Sequence, residues 1–203
     1  STSYRFVTDH TGAIDLHSLL KASQMLAEEI HLDSLLQKMI GVLLENAGAE
    51  QGAIVLEDDG RLVVEVIGRV VAGQMADCQR LGKELTELCE VEAPPLPDSI
   101  ISHVRDTRTT VMLNNPVEDA RFSYNAYCRQ HQPKSVLCLP VITQGKLVAV
   151  IYLENNLLAD AFTARHRKTL ELLSSQVAVS LVNARLYESL EAKVLARTEE
   201  LRR

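Results

Sequence analysis

Residues 135–156, near the C-terminal end, constrain the fold more than any other part of the chain. Two strongly apolar runs flank Gln144 and Gly145, and such a pair between apolar runs is typical of a tight β-hairpin turn. From residue 161 a helical pattern then continues without proline or glycine to Arg203. A buried hairpin followed by a very long helix indicates a module whose signal leaves along that helix.

The composition is that of a globular domain. The chain has 203 residues, of which 46% are apolar and 24% are charged, enough for one domain-sized core with residues left for connecting helices. No apolar run is long enough to span a bilayer, and no signal peptide is recognisable. We expect a piece of a longer protein, because the chain begins with Ser1 rather than Met.

The charge pattern argues against nucleic-acid binding. The formal net charge is −6, whereas a nucleic-acid footprint needs a clustered basic face. The four cysteines form no C-x-x-C pair, and the six histidines lack metal-ligand spacing. We therefore expect reduced thiols, no metal, no membrane insertion and a cytoplasmic location.

The first helical pattern suits a partner helix. After Asp15, which we expect to cap it, apolar residues recur every three to four positions and form a narrow stripe. Its members are Leu16, Leu19, Leu20, Leu26 and Ile30.

The middle of the chain predicts a mixture of strands and helices. A second helix is expected from the cap Asp33 to Gly48, followed by a hairpin with strands at 51–57 and 61–68. Residues 70–97 show no clear element beyond short amphipathic fragments. A helix over 97–106, capped by Asp98 or Ser99, and a strand over 110–113 follow.

Five short motifs resemble the GAF domain family. They are K-S-V-L-C-L-P (134–140), Q-G-K-L (144–147), Y-L-E-N-N (152–156), L-S-S-Q (173–176) and N-A-R-L-Y (183–187). The likeness is to the GAF modules of multidomain sensor histidine kinases, or serine/threonine plus histidine kinases, of the cyanobacterial type. It implies an α+β, GAF/PAS-like fold with a central antiparallel sheet. The N- and C-terminal helices would cover one face, and the other face would hold a ligand pocket.

The resemblance suggests three segments. Residues 1–31 would form a connector and dimerisation helix, 32–183 the GAF domain, and 184–203 the start of a coiled-coil signalling helix to a downstream kinase or PAS module. The seven-residue repeat of Tyr187, Val194 and Leu201, with Leu190 and Arg197 between, forms a marginal seam. A solvated helix that frays remains the alternative.

The family geometry implies where a ligand would sit, between the sheet and the middle segments. The candidate pocket residues of these segments combine apolar and hydrogen-bonding groups, as small-molecule pockets require. A pocket filled by its own side chains would contradict the hypothesis. The candidates are Ile100, His103, Val104, Leu113, Asn114, Phe122, Tyr124, Tyr127 and Cys128.

Known ligands of the family fit poorly. Asn114, Asp119 and Phe122 match part of the cyclic-nucleotide pattern, but its Lys and terminal acidic pair are missing. Bilin-binding members attach the chromophore through a Cys usually followed by His, whereas Arg129 follows Cys128. The sequence requires no cofactor, and if a ligand exists its identity stays open.

We therefore expect a non-catalytic sensory or regulatory module of a two-component signalling kinase. It would bind a small molecule or pair as a homodimer, and would pass the signal along the C-terminal helix. Three alternatives remain: a bilin or redox sensor using Cys128, a small redox enzyme using Cys128 or Cys138, and a purely structural dimerisation module.

Overall fold

A six-stranded antiparallel sheet forms the centre of the molecule, with strand order β3-β2-β1-β6-β5-β4. The computed structural model describes the backbone of residues 16–201 and the side chains of residues 19–200. The predicted α+β fold is confirmed. The strands are β1 Gln51–Asp58, β2 Arg61–Val71, β3 Gln74–Glu84, β4 Val111–Asn114, β5 Ser135–Thr143 and β6 Lys146–Asn155, and the helices are α1 Leu16–Ala27, α2 Leu32–Ala47, α3 Leu85–Cys89, α4 Asp98–Thr107, α5 Ala126–His131 and α6 Ala164–Leu201.

The helices α1, α2 and α6 cover one face of the sheet, which we call the helix face. Their buried side chains form one apolar core with alternate residues of the central strands, including Leu36 of α2, Ile151 of β6 and Leu173 of α6. Because residues three and four apart share one side of a helix, the apolar spacing of α2 places a continuous stripe on the sheet.

Two glycines allow α2 to approach the sheet closely. A Cβ on Gly68 would lie 2.7 Å from Cγ1 of Ile40, and one on Gly52 would lie 3.1 Å from Cδ2 of Leu44, both residues of α2. Real side chains do not tolerate such distances without movement. The helix face therefore depends on these two positions carrying no side chain.

The other face, which we call the cavity face, carries the short helices α3, α4 and α5. Its core is smaller and includes Val64 of β2, Ile100 and Val104 of α4, and Tyr152 of β6. The helix predicted over 97–106 is present as α4. Pro97, rather than Asp98 or Ser99, occupies its N-cap position.

The final hairpin is confirmed and occupies the middle of the sheet. Gln144 and Gly145 both have positive φ, 50° and 73°, as a type I′ turn requires. Strand β6 pairs with β5 on one side and β1 on the other. The chain leaves β6 and reaches α6 after a short connection, so α6 starts close to the central strand.

Two further elements differ from what the sequence predicted. Strand β3 lies within residues 70–97, for which the sequence predicted no clear element. It could not be recognised because this edge strand is mostly exposed and shows no apolar alternation. In α2 the N-cap position is His31, and Asp33 lies inside the first turn. The proposed cap Asp15 lies outside the described residues.

Candidate functional site

A cavity of about 480 Å³ lies at one end of the cavity face. Strands β1, β2, β3 and β6 form its floor and side walls, and the 93–95 loop and α5 supply the remaining walls. It combines basic, acidic and amide side chains with a small apolar wall. The lining residues are Gln51, Ile67, Arg69, Asp77, Gln79, Ala93, Pro94, Pro95, Tyr127, His131, Glu154 and Asn156.

A second cavity, of about 630 Å³, lies on the helix face between the end of α2 and the β2–β3 hairpin. It is lined largely by apolar side chains and glycines, with Glu45 and Glu50 as its acidic groups and no basic residue. Small-molecule sites usually hold a few convergent polar groups. We therefore take the 480 Å³ cavity as the candidate site.

The carboxylate of Glu154 is the centre of a buried polar network. Only 1% of this residue is exposed. It accepts hydrogen bonds from the hydroxyl of Tyr127 at 2.8 Å, from that of Tyr152 at 2.6 Å and from Nδ2 of Asn156 at 3.0 Å. A buried carboxylate without partners is strongly unfavourable, so these three donors stabilise Glu154 within the strand.

The network continues to a basic residue at the other side of the cavity. Gln51 donates from Nε2 to the hydroxyl oxygen of Tyr127 at 3.1 Å. The Oε1 atom of Gln51 accepts from Nε and Nη2 of Arg69, at 3.2 and 3.1 Å. Gln51 and Tyr127 thereby connect Arg69 to Glu154 through an uninterrupted chain of hydrogen bonds.

The two tyrosines are held in their protonated, donating form. Burial is the main cause that raises the pKa of Tyr127 and of Tyr152 far above the ordinary range, and the nearby charge of Glu154 raises both further. Since a deprotonated hydroxyl could not donate to Glu154, the raised pKa values preserve the network at any physiological pH.

Helix α5 positions Tyr127 over the cavity. The side chain of Asn125 caps this helix by accepting from the backbone N–H of Cys128 at 3.2 Å, and it donates to Asp98 of α4 at 2.6 Å. The ring of His131 stacks on that of Tyr127 with a centroid distance of 4.3 Å. The short helix is thus fixed at both ends.

Tyr127 is the one predicted pocket residue among those that line this cavity. Ile100, Val104, Leu113, Phe122 and Cys128 come together, but they fill the apolar core of the cavity face. His103 makes an edge-to-face contact with Phe122 at 5.5 Å, Asn114 donates to Asp160, and Tyr124 is 87% exposed. The other residues that line the cavity were not among the predicted pocket residues.

Sequence reasoning missed Gln51, Arg69, Asp77 and Glu154 as site residues. One signal was available, because Glu154 is an acidic residue inside a strand that was expected to be buried, and such a residue needs partners. Arg69 and Asp77 carried no comparable signal. They meet through the pairing of β2 with β3, and β3 was not predicted.

The thiols are poorly suited to reaction. Burial is the main cause that raises the pKa of Cys89 and of Cys128 to about 11 each, with Asp98 contributing at Cys89 and Glu154 at Cys128. Burial also raises the pKa of Cys138 and of Cys78. Because the thiolate is the reactive form, these environments disfavour thiol chemistry.

The residues predicted for dimerisation lie in different surroundings. Leu26 is buried in the core of the helix face and Leu19 packs against it, whereas Leu20 is exposed. Ile30 is exposed and follows the end of α1. On α6 the residues Tyr187, Leu190 and Val194 are exposed. The side chains of Leu16 and Leu201 lie outside the described residues.

Two further observations bear on the class of site. Between residues 19 and 200, no group of three His, Cys, Asp or Glu side chains could hold a metal ion. No helix in the described part of the chain is both long and apolar enough to cross a membrane.

The fold and the site together define an α+β domain with terminal helices on one face of a sheet and a polar cavity on the other. The sequence profile of the GAF domain matches residues 31–181. The chain belongs to the GAF domain family.

Two similar curated proteins are histidine kinases. Hybrid signal transduction histidine kinase G of Dictyostelium discoideum is 25% identical over 86% of this chain and 8% of its own length. Peroxide stress-activated histidine kinase mak3 of Schizosaccharomyces pombe is 28% identical over 88% of this chain and 7% of its own length. The chain therefore spans less than a tenth of these relatives. They support a regulatory, sensory role.

Solved structures support the fold. The free methionine-R-sulfoxide reductase of Neisseria meningitidis, in complex with its substrate, superposes with a TM-score of 0.65. It is 15% identical, and the match covers 91% of this chain and 98% of that one.

Proposed function

We propose that this chain is the cytoplasmic sensory module of a histidine kinase, with the kinase region in the same polypeptide. Residues 1–31 form its connector, 32–183 the sensory domain and 184–203 the start of the output helix. The 480 Å³ cavity binds a small molecule, two copies pair through α1 and α6, and α6 carries the change onward. The module itself performs no chemistry. The observation that carries the proposal is the exposed apolar stripe of α6.

The stripe runs along the side of α6 that faces away from the sheet. Its residues follow one another at intervals of seven, three, four, four and four, and this spacing keeps them on one side of the helix. The buried side chains Leu173, Val177 and Leu181 lie on the opposite side. From residue 186 to residue 200 every side chain is exposed. The stripe consists of Leu172, Val179, Val182, Leu186, Leu190 and Val194.

The cavity is joined to α6 by a short, ordered connection. Glu154 and Asn156 line the cavity, and α6 begins at Ala164. Between them the side chain of Asn155 accepts from two backbone N–H groups, and the hydroxyl of Ser135 donates to the carbonyl of Leu158. A ligand that moves Asn156 would therefore shift the start of α6, and this would bias two packings of the helix pair.

Sedimentation velocity of the 203-residue chain tests the pairing. Leu190→Glu places a charge in the stripe, and we expect it to convert a dimer into a monomer. Ala192→Glu introduces the same charge on the other side of the same helix, and we expect it to remain dimeric. A monomeric unmodified chain, or equal behaviour of the two variants, would contradict pairing through α6.

A thiol-based role has less support. The relatives mak3 and mak2 of Schizosaccharomyces pombe are named for activation by peroxide stress, and the superposed structure from Neisseria meningitidis is a reductase. In this chain, however, Cys128 and Cys138 are buried and their pKa values are raised. The same burial argues against attachment of a bilin to Cys128, since the thiol has no access to a large chromophore.

A further inference from the structure

We infer that the cavity binds a small zwitterion, a molecule such as a free α-amino acid that carries one carboxylate and one ammonium group. Arg69 would bind the carboxylate and Asp77 the ammonium. The inference rests on the proposed function, because it assigns a ligand class to the same cavity.

Arg69 is a fixed cation without an anionic partner. Its Nε and Nη2 atoms donate to Gln51, and none of the ion pairs among residues 19–200 includes it. A guanidinium has five N–H donors, so donors remain for a carboxylate. Since Gln51 is anchored by Tyr127, Arg69 is already oriented before a ligand arrives.

Asp77 supplies the opposite charge on the same wall. In the pairing of β2 with β3 it stands directly opposite Arg69, and both side chains line the cavity. Cross-strand neighbours of opposite charge commonly pair. Here the guanidinium of Arg69 donates to Gln51 of β1 instead. No ion pair of Asp77 occurs among residues 19–200. The cavity thus presents two opposite charges that do not form an ion pair with each other.

The remaining walls agree with a small ligand that has a modest side chain. Glu154 adds negative charge at the floor, but its carboxylate oxygens already accept hydrogen bonds from three side chains. This leaves Asp77 as the acceptor for an ammonium group. Ile67 and the 93–95 loop form an apolar wall. His131 already covers one ring face of Tyr127, so that face is not open for stacking by a planar base.

Calorimetric titration with matched compounds tests the assignment. Glycine, L-serine, L-leucine and L-glutamine serve as zwitterions, with N-acetyl-L-leucine lacking the ammonium and L-leucinamide lacking the carboxylate. We expect at least one zwitterion to bind. For L-leucine we expect each blocked derivative to bind about tenfold more weakly or worse, as loss of a charged hydrogen bond predicts. If none of the four zwitterions binds, the inference is overturned.

Two variants test the roles of Arg69 and Asp77 separately. Arg69→Gln is expected to weaken binding of zwitterions and of N-acetyl-L-leucine while sparing L-leucinamide, and Asp77→Asn is expected to show the reverse pattern. Arg129→Gln and Asp59→Asn remove exposed charges that do not line the cavity, and they should leave affinity unchanged. Unchanged affinity in Arg69→Gln would contradict the assignment.

A cavity-filling variant separates this inference from the proposed function. Ala93→Phe adds bulk to the wall and removes no charge. If N-acetyl-L-leucine or adenosine monophosphate binds the unmodified chain, no zwitterion binds, and Ala93→Phe abolishes binding, the cavity is a ligand site but not for zwitterions. If a zwitterion binds equally well to Ala93→Phe, the cavity is not its site and the inference is overturned, whereas the proposed function still stands.

Discussion

The two faces of the sheet are built in different ways. The helix face is closed by three helices whose apolar side chains interlock with the central strands, and two glycines bring α2 into close contact. The cavity face is covered by short helices and loops, and part of its surface is a buried polar network around Glu154. One face holds the domain together, and the other leaves room for a ligand.

Leu36→Ala gives the largest expected effect. Leu36 is fully buried on the helix face, so truncation leaves a cavity and should lower the free energy of unfolding by about 2–5 kcal/mol. The matched change on the cavity face is Ile67→Ala, at a half-buried residue beside existing space, and it should cost under about 1.5 kcal/mol. Urea unfolding of both variants measures the difference, and equal losses would contradict the contrast between the faces.

Sequence predicted the helix face much better than the cavity face. The apolar spacing of α2, the left-handed Gly48 and the Gln144-Gly145 turn are local signals that survive folding unchanged. The cavity depends on the edge strand β3 and on contacts between residues far apart, such as Gln51 with Tyr127. No local sequence pattern predicts such a contact between distant residues. Only Glu154 signalled the network, as a charge in an apolar strand.

Within the polar network we expect Tyr127→Phe to cost more than Tyr152→Phe. Both hydroxyls donate to Glu154, but that of Tyr127 also accepts from Gln51, so its removal leaves two partners unsatisfied. We expect losses of about 2–3 kcal/mol and about 1–2 kcal/mol in the free energy of unfolding. Equal losses in thermal and urea unfolding would show that the bond from Gln51 contributes nothing.

Gly41→Ala should stabilise the domain slightly. Gly41 lies inside α2, and an added Cβ would meet Cε of Met75 at 3.7 Å, an ordinary contact. Because alanine favours a helix more than glycine, we expect a gain of about 0.5–1 kcal/mol. Gly52→Ala, on the neighbouring strand, should destabilise because its Cβ would clash with backbone. Calorimetric melting compares the two, and a loss in Gly41→Ala would mean that α2 is packed more tightly than described.

The thiols of the cavity face have an effect that is confined to alkaline pH. Cys89 and Cys128 have pKa values raised to about 11, above the ordinary value near 8.5. The folded state favours the neutral thiol, so this stabilisation is complete below about pH 8.5 and is lost as the pH rises toward 11. We expect the unfolding free energy to fall over this range, and to fall less in the Cys89→Ala, Cys128→Ala double variant. A fall of the same size in that variant would exclude these thiols as its cause.

Native mass spectrometry of the 203-residue chain, compared with Ala93→Phe, tests the central claim most directly. The account predicts a dimer in both proteins, and in the unmodified chain an added small mass that disappears on denaturation and is absent from Ala93→Phe. A bare monomer would contradict both pairing and ligand binding. Added mass that survives denaturation would contradict the account differently, since it would show a covalent group.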